Sequence, residues 1–108
     1  MSTLDQLKAA IGDRAPVTFR YIREGKTPDG RMGDPYAVFV RRLKSGEEHV
    51  YVHVLQTGGA TDSGQELPSW RQFFLNDVVV DDVHADQAPF EIDAGYNPTY
   101  YEFPIAKV

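Results

Sequence analysis

From Pro16 to Val83 the chain keeps returning to a two-residue hydrophobic period, interrupted by turn residues, which restricts it to small β architectures. Val17, Phe19 and Tyr21 alternate with Thr18, Arg20 and Ile22 as a first strand. Glu24 to Gly33, with Pro28-Asp29-Gly30 inside it, reads as a turn-rich loop. Strand pattern resumes over Tyr36 to Leu43, turns at Lys44-Ser45-Gly46-Glu47 and returns over Glu48 to Gln56, which is a hairpin. In its second arm Val50, Val52 and Val54 share one face, and His49, Tyr51 and His53 share the other. Thr57 to Ser69 is small and polar and reads as a mobile loop. Further strands are expected over Trp70 to Leu75 and Val78 to Val83, with a last one carrying Phe103 and Ile105 in phase with Tyr101. Tyr96-Asn97-Pro98 reads as a turn.

A single helical signature precedes the strands. Thr3 and Gln6 have capping-box spacing, Leu4, Leu7 and Ile11 fall on one face, and Gly12 is placed to stop the helix. One helix and five or six short strands predict a mainly β, α+β fold, a small and strongly bent sheet or barrel. At 108 residues the chain holds one domain with one core. No run is long enough to cross a bilayer, the first residues lack the pattern of a signal peptide, and there is no cysteine. A cytoplasmic setting is the expectation.

Charge is unevenly spread. Residues 1–44 carry nine Lys/Arg against five Asp/Glu, whereas residues 45–108 carry two against eleven. The net charge of −5 argues against sequence-blind coating of nucleic acid, which needs many phosphate contacts. Folding could still cluster Arg14, Arg20, Arg23, Arg41 and Arg42 into a basic patch; the alternative is solvated strand edges that resist aggregation.

The segment Trp70-Arg71-Gln72-Phe73-Phe74-Leu75 sets an arginine among aromatic residues, and alternation divides it into an Arg71/Phe73/Leu75 face and a Gln72/Phe74/Asn76 face. A guanidinium among rings is costly to bury without a partner. Arg71 therefore reads either as an anion clamp, with the Tyr51 hydroxyl and ring nearby, or as a structural residue stacked on Trp70 or Tyr51 and tied to Asp77 or Asp34. Arg31 has a similar claim beside its Gly-rich loop. His49 and His53 lie about 13 Å apart along an extended strand, too far to share a metal. His84 stands alone among acidic residues and reads as a surface residue. Ser63 has no nucleophile-elbow pattern around it, Asp81 and Asp82 point to opposite sides of a strand, and Gly58-Gly59 lacks the lysine of a phosphate loop. Catalysis, metal binding and a resident cofactor have no positive support in these patterns.

Three stretches resemble the WYL domain family. Val50-Tyr51-Val52 stands where that family carries its naming Trp-Tyr-Leu, and Arg71-x-Phe73-x-Leu75-x-x-Val78 is similar to its Arg-x-Phe-x-Leu-x-Arg-Ile segment. Arg31-Met32-Gly33-Asp34-Pro35-Tyr36 and the leading helix followed by Val17-Thr18-Phe19-Arg20-Tyr21 are also similar. The resemblance covers about residues 4–83 and leaves 84–108 as a C-terminal extension packing on the domain. It implies an SH3-like or Sm-like β-barrel that senses a ligand, often a nucleotide or nucleic-acid fragment, in bacterial transcription regulators and defence proteins. The expected ligand-binding residues are Arg71, Tyr51, Arg31, His53 and Phe73. Val50 replaces the tryptophan and Asp77 the second basic residue of the family pattern, which lowers the charge available to a polyphosphate. No helix-turn-helix precedes the domain here, so regulation of DNA binding would act through another chain. The expected function is a non-catalytic module for a small anionic or nucleotide-like ligand; the alternative is a protein-interaction or dimerisation domain using Tyr96, Tyr100 and Tyr101 or a free strand edge.

Overall fold

The helix forms one residue earlier than the capping-box spacing suggests and runs past its expected stop. In a computed structural model describing residues 2–26, 28–61, 64 and 66–108, α1 spans Thr3–Asp13. The Ser2 hydroxyl, not Thr3, accepts from the Asp5 amide and caps it. Gly12 is solvent-exposed inside the helix, where it weakens rather than ends it. Termination comes two residues later, where Arg14 adopts a left-handed conformation and the Arg14 and Ala15 amides donate to the Ile11 and Ala10 carbonyls.

Six strands follow: β1 (Val17–Tyr21), β2 (Arg31–Arg42), β3 (Glu48–Gly59), β4 (Ser69–Phe74), β5 (Val78–Val83) and β6 (Phe103–Lys107). They form one antiparallel sheet in the order β4-β3-β2-β1-β5, with β6 on β2. A 3-10 turn, Leu75–Asp77, links β4 to β5 and brings the two ends of the path together. There the Phe74 amide donates to the Tyr21 hydroxyl and the Ile22 amide to the Asp77 carbonyl. The protein is thus a small, bent, SH3-like sheet with one N-terminal helix.

β2 starts five residues before the sequence pattern places it. Gly33 was expected as the end of the Glu24–Gly33 loop, but it is needed for closeness: a Cβ there would clash with Val54 Cγ1 and sit 3.0 Å from the Leu55 carbonyl oxygen. The glycine lets β2 cross β3 tightly, and β3 correspondingly extends to Gly59. Ser63, considered above as a nucleophile, lies outside the described residues.

The sheet buries both faces of its centre. On the helix side Leu7, Ala10 and Ile11 pack on Val17, Phe19, Val38, Val52, Val54 and Phe73. On the other side residues 84–108 lay Phe90, Tyr96 and Tyr101 against Tyr36, Leu55, Ala37 and Phe39. Phe73 is 1% exposed and meets Phe19 and Tyr21 edge-on at 5.3 and 4.7 Å. Phe73→Ala should cost about 3–5 kcal/mol in urea denaturation, whereas Phe103→Ala, on a half-exposed ring, should cost well under that.

Candidate functional site

The five residues expected to bind a ligand fall on opposite faces of the sheet. Cross-strand partners share a face, and Arg71 lies opposite Val54 and Phe73 opposite Val52, both on the helix side. Tyr51 lies opposite Phe74 and His53 opposite Gln72, facing the tail. Tyr51 therefore cannot offer its hydroxyl to an anion held by Arg71, and neither Tyr51 nor Trp70 stacks on that guanidinium. Arg31 and Arg71 instead approach the same Phe73 ring, at 5.4 and 5.7 Å from its centroid. Arg31 is not in an exposed loop: as the first residue of β2, pairing with Phe19 and Gly59, it is completely buried. Asp77, named above as a partner for Arg71, binds Arg23 at 3.0 Å.

The arginines of the first half form no common patch. Arg20 grips Asp81 through two nitrogens, Arg42 binds Glu48, Arg14 donates to the Phe90 carbonyl and Arg41 donates to Gln72 Oε1. The Asp81 carboxyl is held below its usual range by the Arg20 hydrogen bond. These are charges on strand edges and termini.

His84 is not isolated. Its Nε2 is 2.7 Å from Thr18 Oγ1 and its Nδ1 is 3.5 Å from Asp82 Oδ2. The order hydroxyl, imidazole, carboxylate resembles a catalytic chain, but it sits where the β1–β5 register shifts, beside the Thr18–Asp82 pair, and fastens that irregularity. Among the described residues no three of His, Cys, Asp and Glu gather into a metal-binding group.

The concave site lies on the tail side. Tyr36 occupies a bulge between Pro35 and Ala37 and is fully buried. Its hydroxyl donates to the Glu91 carbonyl and accepts from the Asp93 amide, and its carbonyl accepts from the Val108 amide. Its ring meets Trp70, Phe90 and Tyr96 at about 5 Å. A second group joins Phe39, Tyr51, Tyr100 and Tyr101. His53 touches both, 4.9 Å from Trp70 and 5.7 Å from Tyr100 and Tyr101. A cleft of about 170 Å³ opens where the groups meet, walled by His53, Trp70, Tyr96, Tyr100 and Tyr101. Gly95 and Asn97 complete its rim, and a Cβ on Gly95 would come 3.3 Å from Trp70 Nε1 and 3.0 Å from Asp93 Oδ2. An adjoining groove of about 230 Å³ shares Tyr100 and carries Arg41 and Glu102.

Of the five residues expected to bind a ligand, only His53 lines the cleft; Tyr51 packs on Phe39 and Phe74 instead. Trp70 and the tail tyrosines complete it. Tyr96, Tyr100 and Tyr101 were expected as exposed interaction residues, but Tyr101 is buried against Phe39 and Tyr96 is half-buried, leaving Tyr100 exposed. The signal was the density of aromatic residues in 90–103, which exceeds what a solvated tail needs.

His53 Nδ1 is 2.7 Å from the Tyr101 hydroxyl, and its other nitrogen makes no hydrogen bond among the described residues. Burial lowers the pKa of the imidazole below its ordinary 6.5, and burial also raises that of the Tyr101 hydroxyl. Both groups are neutral at pH 7. Comparison with family models, with curated proteins and with solved structures found no match.

Two outcomes follow. Tyr36→Phe removes, from a fully buried ring, the hydroxyl that accepts from the Asp93 amide and donates to Glu91, and should cost about 1–3 kcal/mol in urea denaturation. Because the folded pKa of His53 lies below the unfolded one, its contribution is full above the ordinary value and is lost as pH falls through the folded value. Stability should decline on acidification from pH 7 towards 5, and the gap between wild type and His53→Gln should narrow over the same range.

Proposed function

We propose that this protein is a non-catalytic ligand-binding module whose ligand seats in the cleft between the tail and the outer face of the sheet. The observation that carries this reading is the cleft itself, a concavity walled by five rings from β3, β4 and the tail. Small-molecule sites are concave and mostly apolar, with few polar groups to set orientation, and here the His53 nitrogen and the Asn97 amide are those groups. The WYL resemblance and the SH3-like strand order behind a leading helix support placing the module among ligand-sensing, regulatory domains of bacterial, cytoplasmic proteins.

The anionic or nucleotide-like ligand implied by that resemblance would depend on Arg41 of the adjoining groove for its counter-charge, because neither Lys nor Arg lines the cleft itself. Arg31 and Arg71, the cations first assigned to it, are on the far face. A second reading, association through a strand edge, is favoured by β6, which among the described residues pairs only with β2 and carries the half-exposed Phe103 and Ile105.

Thermal-shift screening against nucleosides, nucleotides, short oligonucleotides, inorganic anions and small organic cations tests the reading, since a ligand preferring the native state raises the melting temperature. The expected result is a hit that disappears in Tyr100→Ala, a variant that keeps its fold because the ring is 52% exposed. A hit lost in Arg71→Ala but kept in Tyr100→Ala moves the site to the other face. No hit, together with a solution mass that rises with concentration, supports strand-edge association instead.

A further inference from the structure

We infer that the cleft accepts an alkylated ammonium cation, such as a quaternary amine or a methylated lysine side chain, held by ring faces. This rests on the cleft being the ligand site. Four observations lead to it.

The walls are inclined to one another over a wide range. Tyr100 and Tyr101 meet at 89°, His53 and Tyr101 at 75°, His53 and Trp70 at 46° and His53 and Tyr100 at 37°. A flat ring is best held between near-parallel plates; inclined rings enclose a rounded group on several sides. The tyrosine hydroxyls are also committed elsewhere. Tyr101 bonds to His53, Tyr100 accepts from Gln72 Nε2 and Tyr96 donates to the Val108 carbonyl. The rings are left to meet a ligand through their faces and edges, and a ring face is the negative pole of its quadrupole.

Charge points the same way. No Lys or Arg lines the cleft, and the single imidazole there is half-buried and neutral. The carboxylate of Asp93 accepts from the Gly95 amide at the rim, and Glu102 stands in the neighbouring groove. Arg41, the cation of that groove, is engaged by Gln72 and lies over the Tyr51 ring. A phosphate would find neither Lys nor Arg among the residues lining the cleft, whereas an ammonium would meet ring faces, with the Asp93 carboxylate beside the rim and the Lys107 ammonium turned to the Pro98 carbonyl. Size agrees. About 170 Å³ matches a benzene-sized cavity and suits a trimethylammonium head, but is well below the several hundred Å³ of a drug-sized pocket.

Fluorescence of Trp70, the sole tryptophan, reports occupancy directly. The protein is titrated with choline, with tetramethylammonium and with 3,3-dimethylbutan-1-ol, the uncharged isostere of choline. We expect saturable responses to the cations and at least about fivefold weaker binding of the isostere. Tyr100→Phe should retain choline binding, because the hydroxyl is turned to Gln72, and Tyr100→Leu should lose most of it while folding normally. A trimethyllysine peptide binding more tightly than choline identifies a protein segment as the source, and equal affinity identifies a free small molecule; either supports the inference. Isostere binding equal to choline, an unchanged Tyr100→Leu, or silence towards cations beside a saturable nucleoside response overturns the ammonium assignment and leaves the cleft as a ligand site. Silence towards every probe overturns both.

Discussion

The Tyr36 hydroxyl accepts from the Asp93 amide and donates to the Glu91 carbonyl, while the same residue's carbonyl takes the Val108 amide and its ring touches Trp70, Phe90 and Tyr96. One residue at a bulge in the central strand therefore fastens the tail at two distant points and supports one wall of the cleft. The arrangement is possible because the hydroxyl is satisfied; a buried phenol without partners would oppose the same packing. Arg14 secures the start of the tail by exchanging hydrogen bonds with Phe90, so the left-handed end of α1 is also an anchor for the far side of the sheet.

A small antiparallel sheet commonly buries one face and leaves the other to solvent. Here the helix and the aliphatic face of β3 make the principal core, and the tail makes a second, almost wholly aromatic layer. The two layers differ in kind. Val17, Val38, Val52 and Val54 interdigitate with the helix, whereas the tail side is built from rings that meet at angles and leave a concavity. Packing of rigid rings from a tail with three prolines fills space less completely than branched aliphatics do, and the cleft is where that incompleteness is concentrated. The two arginines that drew attention in the sequence belong to the other layer, around Phe73.

Much of the architecture is legible in the sequence. The period-two runs place β1 and β5 almost to the residue, the hairpin turn lies where Gly46 puts it, and the Val50/Val52/Val54 and Tyr51/His53 faces separate as alternation requires. The early start of β2 was hidden because Gly33 and Pro35 are turn residues by composition, and only the Val54 side chain and the Leu55 and Gln56 backbone beside it reveal the close approach that requires glycine. The cleft was less legible. Alternation already separates Arg71 from Trp70, yet proximity in sequence to aromatic residues suggested a shared pocket. The unbroken apolar run Tyr36-Ala37-Val38-Phe39-Val40 is the one local sign that β2 is covered on both sides, and nothing in it says that residues 84–108 supply the cover.

Amide hydrogen exchange on the unliganded protein tests the docked tail most directly. If the tail is an integral layer, the amides of Phe90, Asp93 and Val108, bonded to Arg14 and Tyr36, are protected to a degree comparable with the paired amides of β3. Exchange of these three at the rate of an unstructured peptide, with β2 and β3 still protected, would mean that the tail does not rest on the sheet and that the aromatic cleft does not exist.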